Sequence, residues 1–460
     1  MPVRKTMAKL DLSHVVRLLA FAAGSLCLLV GAPVWATTFK TAYTFTGASD
    51  GYGPRSGLVV GPGGDLYGAT VDTVYSLSED SKGIWKFAPI LKLSPGLTSL
   101  IGTPKALYGL QSSDAGKCAL SDGGCGTVIE ITPPAKTGGN WPMTTIYEFK
   151  GGKDGVYPEG ITLDPSGVIY GTTQEGGGSF NCGSDGGQAT GCGTLFTLAK
   201  VDGKWTETVL HAFDQTDGQF PSAPPSVDAV GDVFLTTYLG GSAPVASGPR
   251  NAGQGTGTVA EYRNKRQELE EAINDLYPAF QPFFMTTDYF GPAPTPVAAN
   301  ELVVAGEGGG HPAECALLGN AGCGVVAVYT APKTGTAPWK ATVIHSFSQT
   351  DGAQPYGSFL ADGASTLYGV TQYGGPASIA CKDISNLSLG CGVIYKLTKT
   401  ANSWGWDGVV HSFADVANGA LPVGELVLYK GMIVGATALG GKTSGACSSS
   451  GCGVVFTITP

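Results

Sequence analysis

Ten cysteines carry the most regular chemistry-bearing pattern in the chain. They fall into five pairs: Cys118 and Cys125, Cys182 and Cys192, Cys315 and Cys323, Cys381 and Cys391, Cys447 and Cys452. Each pair sits in a loop of glycine and small polar residues, and the second cysteine lies in a Gly-Cys-Gly triplet. Between four and nine residues separate the partners. A metal site needs fixed ligand geometry and usually histidine or carboxylate support, which loops of changing length do not supply. Redox chemistry favours Cys-x-x-Cys at a helix start, and the chain has none. A clip across the base of a loop needs only that its ends meet. Five structural disulfides are expected, each contributing roughly 2–3 kcal/mol through loop entropy.

The histidines divide by repetition. His211, His345 and His411 recur in a strand position that Tyr43 and Tyr147 fill elsewhere, which marks them as structural. His311, in GEGGGHPAEC, occurs once, with Glu307 and Glu314 beside it. An imidazole titrates near neutrality and suits general acid–base work, so His311 and Glu307 form the candidate catalytic set. The plainer reading is a solvated loop histidine. Asp50, Asp154, Asp217 and Asp351 each precede a glycine, with Asn418 in the fifth such place. Asp-Gly before proline suits a turn whose carboxylate caps backbone N–H groups. One carboxylate per loop falls short of the oxygens that calcium requires, so no metal is expected.

Aromatic rings share these loops. Tyr157, Tyr356, Tyr238 and Tyr373, with Arg55 and Arg250, form the candidate ligand-binding set. Flat rings beside carboxylates and amides suit sugars, which stack their C–H faces and spend hydroxyls on polar groups. Packing of those rings between repeats is the competing account. GGKTS at Gly440 lacks the leading glycine of a phosphate loop, and no nucleophile elbow, His-Glu-x-x-His or dinucleotide fingerprint is present. No cofactor is expected.

A tandem repeat positions all of these residues. The segment VIYGTT at Tyr170 recurs as DLYGAT, ALYGL, VFLTT, TLYGVT and MIVGAT, with a weaker copy, LVVAGEGG, around Val304. The seven anchors, at 67, 108, 170, 234, 304, 368 and 434, lie 41 to 70 residues apart. Each unit holds four strand-like runs. In the third unit these are Gly160 to Leu163, Val168 to Thr173, Gly193 to Leu198 and Thr206 to Phe213. Four short antiparallel strands repeated seven times predict an all-β, seven-bladed β-propeller. The last unit lacks a fourth strand, and TTFKTAYTF near the N-terminus matches VLHAF, VIHSF and VVHSF. The N-terminal strand is therefore expected to complete the last blade and close the ring. A charged insert near 263–277, around KRQELEEAINDL, is expected to be helical.

These motifs carry a resemblance. LYGTT-x-x-GG, a variable loop, GT-[VL]-[FY]-x-L, and a strand ending [YH]-x-F before DG-x-x-P resemble the GloVer tandem-repeat proteins, exported bacterial proteins with a choice of C-terminal anchors. The resemblance covers nearly the whole chain after the leader and is sharpest in units one, three, six and seven. It implies export and a repeat fold. It implies no established activity and transfers no catalytic residue. No anchoring tail is visible before Pro460.

The N-terminus reads as a leader. Arg4, Lys5, Lys9 and Arg17 precede an apolar run from Leu18 to Ala32, and Val34-Trp35-Ala36 offers small residues to a signal peptidase. Residues 1–36 are expected to be a cleaved signal peptide, with 37–460 a single propeller domain in the periplasm or outside the cell. Cys27 departs with the leader, leaving an even number of cysteines in an oxidising compartment. The leader holds four basic residues and one acidic residue of the chain's 27 and 36, which leaves 23 and 35 and a net charge of −12. That balance argues against nucleic acid as a partner. A monomer with no membrane insertion is expected. The sequence points to a binding or interaction scaffold, with carbohydrate as the ligand class and a polysaccharide or a cell-surface protein as the partner. The alternatives are a polysaccharide lyase or glycosidase using His311, and a protein-binding platform. The fold class cannot choose among them.

Overall fold

A computed structural model describes residues 37–459 apart from 112–117, 119–123, 137, 180–181, 183–190, 242–256, 265–267, 274–292, 309–321, 333–338, 377–389, 402, 415 and 448–449. Residues Thr38–Thr459 form one compact unit of seven antiparallel sheets, the blades of a β-propeller. Blade 3 shows the pattern: Val156–Leu163 innermost, then Ile169–Glu175, Thr194–Val201 and Lys204–Ala212 at the rim. Blade 7 is built from Ala420–Tyr429, Met432–Leu439 and Val454–Thr459, and its outer strand is Thr38–Thr44. Phe39 pairs with Ile458 and Tyr43 with Val455. The ring closes by the N-terminal strand, as the repeat count requires.

The repeat motifs have steric causes. The glycine of the tyrosine-glycine segment faces a ring from the third strand. A Cβ on Gly171 would lie 2.3 Å from Phe196 Cζ, and one on Gly435 would lie 2.4 Å from Phe456 Cζ. The threonine two residues after that glycine ties the second strand to the third. Thr173 Oγ1 donates to Glu175 O at 2.9 Å and accepts from Thr194 N at 3.0 Å, and Thr371 and Thr437 repeat the arrangement.

The Gly-Cys-Gly triplets join neighbouring blades. The carbonyls of Cys125, Cys192, Cys323, Cys391 and Cys452 accept hydrogen bonds of 2.8–3.2 Å from the backbone N–H groups of Tyr157, Phe220, Gln354, Leu421 and Gly53 in the next blade. All five donors are left-handed, with φ between 53° and 58°. Each precedes a proline, and that proline packs on the glycine after the cysteine. A Cβ at Gly126, Gly193, Gly324, Gly392 or Gly453 would fall 2.4–2.6 Å from the proline Cδ, so only glycine fits.

The insert expected to be helical contains a strand, Glu268–Ile273, paired to Val259–Arg263 as the outer strand of blade 4. Helix propensity amounts to only tenths of a kcal/mol per residue even for good formers such as glutamate and leucine, and the edge of blade 4 supplies the hydrogen bonds that decide. The disulfides Cys118–Cys125, Cys182–Cys192 and Cys447–Cys452 are formed. Cys323 and Cys391 are also disulfide-bonded, while Cys315 and Cys381 lie outside the described residues. Among the described residues no helix is long and apolar enough to cross a membrane.

Candidate functional site

Among the described residues, the cysteine loops and the blade-joining loops share a face. Cysteine loops join second to third strands, and blade-joining loops precede each inner strand. The two kinds are bonded together: Gly177 N donates to Gly152 O, Gly375 N to Gln349 O and Gly441 N to Val416 O, at 2.6–2.9 Å. On that face the repeated acids are consumed by the fold. Asp50 accepts from Tyr43 Oη at 2.9 Å, from Thr46 N at 2.8 Å and from Ala48 N at 3.1 Å. Asp154 accepts from Tyr147 Oη and from Lys150 N at 2.6 Å. Asp217 stands 2.7 Å from His211 Nε2, and Asp351 stands 3.2 Å from His345 Nε2. The recurring aspartates thus hold the turns into the next blade by accepting from backbone N–H groups, and His211 braces one of them.

What remains is a cavity among the inner strands. It is lined by Arg55, Ser99, Tyr356, Ser358 and Glu425, together with glycine backbone at Gly57, Gly357 and Gly424. The volume open to the centre of a water-sized sphere is about 70 Å³, where one water needs roughly 10–15 Å³. Bulges aim the polar groups inward. The register slips between Tyr356 and Leu360 in blade 6 and between Val423 and Val427 in blade 7, which turns Ser358 and Glu425 out of their ladders. Blades 7 and 1 meet here backbone to backbone: a Cβ on Gly424 would lie 2.2 Å from Gly57 N. Glu425 is open to the cavity yet ringed by protein. That enclosure pushes its carboxyl above the usual range, and the Ser358 hydroxyl, hydrogen-bonded to it, opposes the shift.

The structure brings together two members of the predicted binding set, Arg55 and Tyr356. It disperses the others. Tyr157 uses its backbone to join blades, and its ring packs on the core between blades 2 and 3. Tyr373 ends the second strand of blade 6 and packs against the core of blades 5 and 6. Tyr238 ends the corresponding strand of blade 4, and Glu307 follows that of blade 5. Burial first, then the charge of Glu307, drives the Tyr238 hydroxyl upward, and burial pushes the Glu307 carboxyl up to about 8. His311 and Arg250 lie outside the described residues. Sequence reading missed Ser358 and Glu425. Their signal is the residue three beyond the proline of each inner strand, where Gly57, Ile161 and Pro224 stand in other blades. Among the described residues no cluster of three histidine, cysteine, aspartate or glutamate side chains could hold a metal.

No known family model matches the chain, and neither does any curated protein. Among solved structures, virginiamycin B lyase from Staphylococcus aureus is similar at 13% identity over 92% of this chain and 99% of that one, with a TM-score of 0.49. The PQQ-bound aldose sugar dehydrogenase from Streptomyces coelicolor is similar at 12% identity over 93% and 100%, with a TM-score of 0.40. Likeness at that level carries neither substrate nor reaction to this chain.

Proposed function

We propose that this protein is an exported binding scaffold of the GloVer repeat type whose ligand is carbohydrate, held at the cavity on the propeller axis. The observation supporting this reading is the lining. Arg55, Ser358 and Glu425 present a cation, a hydroxyl and a carboxyl, with Leu58, Leu100 and Ile161 as apolar neighbours. Sugars are recognised by such mixed hydrogen-bonding groups next to apolar surface. The cavity volume admits part of a sugar residue, so the remainder of a chain would extend over the loop face. The test uses the full chain, exported into an oxidising compartment and purified. Retention on immobilised plant and bacterial polysaccharides is expected for the native protein, with at least tenfold weaker binding for Arg55→Ala and Glu425→Ala at unchanged melting temperature. Equal retention by both variants removes the cavity from the reading, and no retention on any polymer removes carbohydrate.

The second reading is an enzyme. Burial pushes the Glu307 carboxyl, beside Tyr238, up to about 8, toward the protonated form that a general acid requires. New sugar ends that appear with the native protein and vanish in Glu307→Gln would establish a lyase or glycosidase and displace the scaffold.

A further inference from the structure

Three blade junctions carry the same ring-on-ring contact at the rim. Tyr43 stacks on Phe87 at 4.3 Å where blade 7 meets blade 1, and His345 stacks on Trp406 at 3.6 Å where blade 5 meets blade 6. Phe39 and His411 stack at 4.0 Å between blades 7 and 6. Phe87, Trp406 and Phe39 sit at one register position, opposite Leu77, Leu397 and Ile458 of their third strands. In blade 3 the residue opposite the corresponding Leu198 is Glu207. Where blades 2 and 3 meet, Tyr147 therefore faces a carboxyl in place of a ring.

The hydrogen inventory at this junction is short by one. Tyr147 Oη donates its single hydrogen to Asp154. Glu207 contacts the same hydroxyl, and its Oε1 is buried without a hydrogen-bond partner. Two carboxylates around one hydroxyl leave an acceptor unsatisfied, which is costly when buried. A proton on Glu207 completes the set, because the acid O–H can donate to Tyr147 Oη while Tyr147 donates to Asp154. We propose that the junction between blades 2 and 3 is a proton-operated latch, closed when Glu207 carries a proton and loosened when it does not. The loop it secures, residues 149–155, lies on the cysteine-loop face and receives the hydrogen bond from Gly177. Loosening the latch frees that part of the face.

The charges at the junction agree. Burial first, and then repulsion from Asp154, push the Glu207 carboxyl up to about 7, against the opposing effects of the Tyr147 hydrogen bond and the Lys150 ammonium. A raised carboxyl pKa means the folded state holds the proton more tightly than the unfolded one. The latch contributes in full below a free glutamate's 4.5 and is lost as pH rises through about 7.

Hydrogen exchange on the full exported chain tests this, read as protection factors so that the intrinsic pH dependence of exchange cancels. Between pH 5.5 and 8, protection over Met143–Glu148 and residues 149–155 is expected to fall about 25-fold, the linkage that a folded value near 7 and a free value of 4.5 give across that window. Protection over Trp85–Lys92, a strand without histidine or carboxylate in which Phe87 stacks on Tyr43, is expected to stay level. Glu207→Gln, and Glu207→Phe, which restores the ring of the other junctions, should both abolish the step at blades 2 and 3. A flat native profile, or a step that survives in either folded variant, overturns the latch.

Discussion

A glycine facing a ring is a constraint that one methyl group can test. Gly171 lies under Phe196, whose side chain is fully buried, and a Cβ there would stand 2.3 Å from the ring carbon. Overpacking at this depth costs about 1–3 kcal/mol, so Gly171→Ala should lower stability by that amount in chemical denaturation. Gly405, on the outer strand of blade 6, has no positive φ, and a methyl group there would meet nothing within 4 Å. Gly405→Ala should be neutral or slightly stabilising through the unfolded chain. Equal losses at both sites would show that strand glycines are selected for something other than ring packing. Residue types of this kind were legible because they repeat. The tyrosine-glycine-threonine segment, the Asp-Gly turns and the paired cysteines each recur at a fixed place, and repetition separated scaffold from candidate chemistry. Ser358 and Glu425 were not legible, because a bulge rather than a motif turns them toward the axis, and a bulge is a register event between two strands.

Turns and loops set how each blade hands over to the next. Burial by itself would raise the Asp50 carboxyl, but hydrogen bonds from Thr46, chiefly, and Tyr43 outweigh it and hold the group below the usual aspartate range. A depressed pKa contributes stability that is present above a free aspartate's 3.8 and lost as pH falls through the lower folded value. Asp50→Ala should cost about 1–3 kcal/mol at pH 7 by stranding the Thr46 and Ala48 N–H groups. The gap between native and variant should narrow in acid, which denaturation at pH 7 and pH 2.5 would reveal. The clips act differently, through the unfolded chain. Replacing Cys182 and Cys192 together by serine should cost about 3 kcal/mol, and replacing Cys447 and Cys452 about 2 kcal/mol, since the second pair closes a shorter loop. An inverted order would point to loop packing in place of chain entropy. At this scale the sequence misled once. The charged run around Glu268 to Ile273 has helical composition, yet it forms a strand, because the fourth position of a blade offers a ladder that no local propensity can outbid.

Closure of the ring is a property of the whole molecule, and it rests on seven residues. Thr38–Thr44 forms the outer strand of blade 7 although it lies more than 400 positions from its partner, as the Thr38–Thr459 pairing shows. Behind it, Phe45 is fully buried among Tyr75, Leu58 and Val455. Phe39 stacks on His411 and packs against Phe413 and Phe456. Each such aromatic contributes about 2–3 kcal/mol on burial, a large share of the 5–15 kcal/mol that domains typically possess. Removing residues 37–45 would strip both rings from the core and leave Val454–Thr459 as an unpaired edge, which invites association between chains. The shortened chain should lose its cooperative calorimetric transition and sediment as larger species. A synthetic peptide of residues 37–45, added in excess, should restore a single transition by mass action, and the same peptide with Phe45→Ala should fail to do so. A shortened chain that melts like the intact one would mean that the other six blades hold the ring without its clasp. In that case the N-terminal strand would be free to leave, and the closed ring would be one of two states rather than the ground plan of the fold.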